Sequence, residues 1–216
     1  MTDPIPPDPL REDQINARAN QKARKRKEVR DRILATKTGE KGLLIVHTGK
    51  GKGKSTAAFG LVARAMGNGM RVGVVQFVKG KWETGERKLL EHFPEQIEMR
   101  AMGEGFTWET QDRARDIRAA EAGWAMAREM IEASRGPEPR FAMVLLDELN
   151  IVLRYGYLPL AEVVAYLAAK PVDLHVIVTG RNAKPELVEI ADLVTDMTMV
   201  KHHFKAGIKA QAGIEF

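Results

Sequence analysis

Cysteine is absent from the 216-residue chain. That excludes disulfides, thiolate nucleophiles and Cys-ligated zinc, and it suits a reducing cytoplasm. Long apolar runs are also missing. None reaches the ~18 residues that a membrane span requires. The opening residues Met1-Thr2-Asp3-Pro4-Ile5-Pro6-Pro7 lack the apolar stretch of a signal peptide. A cytoplasmic protein with no membrane association is therefore expected. The five histidines, His47, His92, His175, His202 and His203, show no spacing that ties them to further metal ligands. The adjacent pair His202-His203 is read as facing the surface or a substrate.

Charge of one sign is scarce except in one place. The formal net charge is +5. Residues 1–41 hold 11 Lys/Arg against 7 Asp/Glu, whereas residues 42–216 are close to neutral. The division predicts a basic N-terminal arm over 1–41 and one domain over 42–216. Proline and acid residues over 1–17 suggest disorder. A basic helix is expected over 18–35, with Val29, Ile33 and Leu34 as a short apolar stripe. The arm has no aromatics interleaved with its basic residues, and the domain is near neutral. Both features argue against a nucleic-acid partner.

From Leu43 onward, short apolar runs alternate with helical patterns. Strands are expected over 43–46, 71–78, 97–101, 141–146, 174–178 and 194–200. Helices are expected over 54–66, 109–134, 160–169 and 184–191. This order predicts a three-layer α/β domain with a mostly parallel sheet.

The segment Thr48-Gly49-Lys50-Gly51-Lys52-Gly53-Lys54-Ser55-Thr56 joins the first strand to the first helix. Glycines let the backbone curl so that its N–H groups face a bound anion, and the helix N-terminus adds a positive dipole end. Lys54 offers a cation to phosphate oxygens, and the Ser55 hydroxyl is suited to Mg²⁺. The spacing departs from the usual phosphate loop. Counted back from Gly53-Lys54, the first position is Thr48. Counted from Gly49, the loop is one residue short. Downstream, Met143-Val144-Leu145-Leu146 ends in Asp147 and Glu148, carboxylates placed to hold a divalent ion at a strand's C-terminal end.

Further segments narrow the reading. Gln76-Phe77-Val78-Lys79-Gly80 follows the second strand, and Gly105-Phe106-Thr107-Trp108 precedes the long helix. Thr179-Gly180-Arg181 ends a later strand, and the C-terminus reads Phe204-Lys205-Ala206-Gly207-Ile208-Lys209-Ala210-Gln211-Ala212-Gly213-Ile214-Glu215-Phe216. With the short loop, this set resembles the P-loop type ATP:corrinoid adenosyltransferases, the cob(I)yrinic acid a,c-diamide adenosyltransferases. The resemblance implies a RecA-like P-loop fold. It also implies transfer of the 5′-deoxyadenosyl group of ATP to the Co(I) of a corrinoid, with triphosphate leaving, in adenosylcobalamin biosynthesis or salvage. It places Lys54, Ser55 and Glu148, with Asp147, at the phosphates and at Mg²⁺ or Mn²⁺. Lys79 and Arg181 become candidates for triphosphate or ribose contacts, and Phe106 and Trp108 for the lower corrin face. An electron donor such as a flavoprotein and a homodimer are implied as well. The alternative from the loop and acidic strand alone is a RecA-like ATPase or small-molecule kinase, with Glu148 serving at the γ-phosphate.

Overall fold

A computed structural model describes residues 9–78, 84–101 and 112–215. Lys79, Phe106 and Trp108 lie outside the described residues. The chain divides into two compact units, residues 1–40 and 41–216.

In the first unit, α1 runs from Pro9 to Ala35. It starts well before the expected Arg18. Proline is tolerated at the first helical position, where its missing N–H has no partner to lose. Glu12 in the first turn complements the helix dipole, and a run of good helix formers follows. Val29, Ile33 and Leu34 are each more than half exposed. Among the described residues, no helix is long and apolar enough to cross a membrane.

The second unit contains β1 (Leu44–Thr48), α2 (Lys54–Gly67), β2 (Val72–Gln76), α3 (Gly85–Leu90), β3 (Ile97–Ala101) and α4 (Arg113–Glu132). It continues with β4 (Met143–Asp147), α5 (Leu149–Tyr155), α6 (Leu160–Ala168), β5 (His175–Thr179), α7 (Pro185–Ile190) and β6 (Leu193–Asp196). The six strands form one sheet in the order β3-β2-β4-β5-β1-β6. Every neighbouring pair is parallel. Crossover helices cover both faces, as parallel sheets require.

The alternation of side chains along the strands assigns the two faces. Leu44, Val46, Val75, Val144, Leu146, Val176 and Val178 pack with residues of α4, α5, α6 and α7, among them Ala127, Ile131, Leu153, Leu167 and Leu187. The intervening residues Ile45, Val72, Val74, Leu145 and Ile177 pack with Ala58, Phe59 and Val62 of α2 and with Leu90 of α3. The layers are therefore helix, sheet, helix. The long α4 buries Ala120, Gly123, Ala127, Met130 and Ile131. This is the predicted face with one register change, since Ile117 and Trp124 are only partly covered.

Two short helices, α3 and α5, were not anticipated from the sequence. Thr84 starts α3, its hydroxyl accepting from the Arg87 N–H at 3.4 Å. α5 begins directly after the acidic pair, without a loop.

The register sets His47 beside Thr179, Thr48 beside Asp196 and Gln76 beside Asp147. Polar residues from five strands thus share the C-terminal edge of the sheet, where ligands bind in open α/β folds. Strand β5 lies between the strand that feeds the Gly/Lys loop and the strand that ends in the carboxylates. That arrangement agrees with the parallel α/β fold expected from the sequence.

Candidate active site

The loop after β1 is shaped by close backbone packing. Gly49 and Gly53 both have φ 103°, a conformation that only glycine adopts at little cost. A Cβ on Gly49 would run into Asp196 and the Met197 backbone, and one on Gly51 would meet the carbonyls of Met197 and Thr198. The Gly51 N–H donates to Met197 O at 2.6 Å, and the Met197 N–H donates to Thr48 O at 2.9 Å. The segment after β6 therefore pins the loop from one side. On the other side, the Thr48 hydroxyl accepts from the Ala183 N–H at 3.0 Å.

Lys54 opens α2 and is only 7% exposed. Its ammonium donates to the Gly51 carbonyl, inside the loop's own curl. Burial lowers its pKa first. Glu148 and Asp196 pull it back up, while Arg181 and Lys52 push it further down. The pKa of Lys52 is likewise lowered, by burial and then by Arg181. Lys52, Lys54 and Arg181 thus share one field, and that field favours an anionic ligand. Ser55 is partly buried and Thr56 exposed in the same first turn, and Lys50 is exposed on the loop.

Asp147 and Glu148 have different surroundings. Asp147 ends β4 and is 5% exposed. It accepts from the Thr179 hydroxyl at 2.7 Å and from Gln76 Nε2 at 3.3 Å. Thr179 in turn accepts from the Glu148 N–H at 2.9 Å. That bond helps hold Glu148 at φ 63°, a left-handed conformation that is uncommon for a residue with a side chain. The turn aims the carboxylate back towards Lys54 and Arg181. Its Oε2 is buried without a hydrogen-bond partner among the described residues. Gly180 makes the space, because a Cβ there would lie 2.9 Å from that same oxygen. Asn150 fixes the Gly180 turn by donating to its carbonyl at 3.0 Å.

The structure therefore brings the loop residues 48–56, Asp147, Glu148 and Arg181 to one edge of the sheet. Sequence reasoning missed Gln76 and Thr179 as partners of Asp147, because their role depends on strand register. It also missed Met197 and Glu215, which reach the loop from the end of the chain. A cavity of about 640 Å³ opens beside the loop, bounded by Gly49, Asn182, Val188, Asp196 and Met199.

Burial, then the neighbouring Asp147, pushes the Glu148 pKa up to about 7 from an ordinary value of 4.5. Lys54 and Arg181 oppose this shift. Below pH 4.5 the folded and unfolded chains both hold the proton. Between 4.5 and 7 only the folded chain does, so stability falls as the pH rises through that window and is level above it. Glu148→Gln should remove the dependence. In metal-chelating buffer, urea denaturation should show the variant gaining about 3 kcal/mol on the wild type between pH 4 and pH 8. An equal difference at both pH values would contradict this electrostatic account.

Comparison with known proteins agrees with this geometry. The family described as ATP:corrinoid adenosyltransferase BtuR/CobO/CobP matches residues 40–216. A corrinoid adenosyltransferase from Sinorhizobium sp is 56% identical over 203 residues, covering 93% of this chain and 92% of that protein. One from Pseudomonas aeruginosa is 53% identical, covering 92% and 96%. Corrinoid adenosyltransferase CobA of Salmonella typhimurium is 47% identical, covering 89% and 96%. Among solved structures, EssC (ATPases 2 and 3) from Geobacillus thermodenitrificans aligns with a TM-score of 0.42 and 11% identity, over 80% of this chain and 35% of that one, a likeness too slight to carry an argument. The short phosphate loop, the acidic strand end and the closing Gly-Ile-Glu segment all fall within the matched span, and the chain belongs to the ATP:corrinoid adenosyltransferase family.

Proposed function

We propose that this enzyme transfers the 5′-deoxyadenosyl group of ATP to the Co(I) centre of a reduced corrinoid and releases inorganic triphosphate. The observation that carries the reading is the family match over residues 40–216, which includes the whole phosphate-loop edge. In this reaction the electron pair of Co(I) forms the cobalt–carbon bond at C5′. The C5′–O5′ bond breaks, and its electrons leave with the triphosphate. The nucleophile belongs to the substrate, so the chain needs no Ser, Cys or Lys nucleophile of its own. Its task is to orient C5′, to neutralise the departing charge and to exclude water.

The loop suits that task. Lys54 is buried with its ammonium turned into the loop, beside Lys52 and Arg181, and these cations face the leaving triphosphate. The reacting carbon is attached to the α-phosphate, whereas kinases and ATPases act at the γ end. A loop one residue short is compatible with that change of register. Ser55 and Glu148 would hold Mg²⁺ or Mn²⁺. The donor chemistry fits, because the buried Glu148 Oε2 has no hydrogen-bond partner among the described residues. Asp147 is already engaged by Thr179 and Gln76, and its place is behind Glu148. The ion would add positive charge at the phosphate oxygens.

The remaining assignments belong to the same proposal and are supported by the resemblance to the family. Lys79 contributes a further cation near the phosphates or ribose. Phe106 and Trp108 provide an apolar lower face for the corrin, which strips Co(II) of its axial ligand and eases its reduction. The electron comes from a donor such as a flavoprotein. The enzyme acts as a homodimer in the cytoplasm.

Two experiments test this reading. Lys54→Ala should lower kcat/KM for adenosylation of chemically reduced corrinoid by about 100-fold, the scale of a lost preorganised contact to developing charge. The decay of the Co(I) absorption band reports the rate, and wild-type turnover would remove Lys54 from the site. Phe106→Ala or Trp108→Ala should spare that prereduced assay and fail when a weak reductant must reduce bound Co(II). Equal loss in both assays would assign the rings to packing.

A further inference from the structure

The segment that follows β6 returns to the phosphate loop a second time. The Glu215 carboxylate is ion-paired with Lys52; its side chain is 14% exposed, against 47% for the lysine. Glu215 Oε1 lies 3.3 Å from His203 Nε2 and is buried without making a hydrogen bond among the described residues. His202 stacks on His203 with ring centroids 4.8 Å apart. Its pKa is held below the ordinary imidazole value by desolvation and then by His203, Lys52, Arg181 and Lys205. This corner is therefore cationic, and Glu215 is the carboxylate that reaches Lys52.

The ligand atoms of His202, His203 and Glu215 lie within 4.8 Å of one another. That spacing would suit a metal ion, but two observations favour an anion. His202 Nδ1 already accepts from the Phe204 N–H at 3.2 Å. Lys52, Arg181 and Lys205 would also repel a dication. A carboxylate oxygen and a phosphate oxygen are interchangeable partners for an ammonium.

We propose that Lys52, Arg181 and His202 form an outer phosphate subsite of the loop, and that Glu215 occupies it as an internal counter-ion which a polyphosphate displaces. The ligand class is the triphosphate chain of a nucleotide or inorganic triphosphate itself. This rests on the reading of the loop as a triphosphate site. The exchange has a use in the reaction. Inorganic triphosphate is a product with high charge, and a carboxylate that competes for Lys52 speeds its release.

Isothermal titration of the full chain with sodium tripolyphosphate at low salt tests the exchange. Glu215→Gln should tighten the dissociation constant by up to about fivefold, the scale of one partly exposed ion pair. The gain should vanish in a Lys52→Met background. Glu215→Asp, with its shorter reach, should move the constant in the same direction, which keeps the test available if the Gln variant folds poorly. Unchanged or weaker binding by a folded Glu215 variant would overturn the proposal. Lys54→Ala separates the two levels. If it leaves tripolyphosphate binding intact, the triphosphate reading of the loop fails. If it abolishes binding while Glu215→Gln brings no gain, only the counter-ion proposal fails.

Discussion

The ammonium of Lys54 has to be buried at the C-terminal edge of a parallel sheet before anything else at this site can work. A buried cation is costly unless it is paired or hydrogen-bonded. Here the Gly51 carbonyl accepts from it, and Glu148 lies in its field. Each of those partners requires further structure. Gly51 must approach the Met197 and Thr198 backbones more closely than any side chain permits. Glu148 must adopt a left-handed turn, braced by Thr179 and given space by Gly180. The strained residue and the tight glycines therefore arise from one requirement, a cation held in position ahead of its anion.

The same electrostatics shift the pKa values of three groups at this edge. Lys52 and Lys54 are pushed down and Glu148 is pushed up, each chiefly by loss of water. A polyphosphate would reverse the balance for the lysines, as a divalent ion would for the carboxylate. The site is preorganised for a ligand that carries several negative charges. That is the preorganisation needed where triphosphate is the leaving group.

Much of this could be read in the sequence, for definite reasons. The loop Thr48–Thr56 and the run Met143–Glu148 announce themselves, because glycine spacing and a four-residue apolar strand leave few other readings. The buried strands were visible for the same reason, and their order was not, since register and crossover leave no local mark. The short helices α3 and α5 escaped notice, because six or seven residues give little periodicity; the equally short α7 was legible by its Lys184-Pro185 start. The early start of α1 was hidden by prolines that suggested disorder, although one of them occupies a first helical position. Gln76, Thr179 and Glu215 have ordinary residue types, and their partners are distant in the chain. Only the fold makes them neighbours of Asp147, Glu148 and Lys52.

The central claim is that the bond broken lies between C5′ and the triphosphate, and not between phosphates. Phosphorus-31 NMR of a reaction containing ATP, Mg²⁺ and a chemically reduced corrinoid reads this directly. Adenosyl transfer should yield inorganic triphosphate in an amount equal to the cobalt–carbon bonds formed, with its middle phosphorus resonance intact. Accumulation of ADP and inorganic phosphate, with no adenosylated corrinoid, would contradict it.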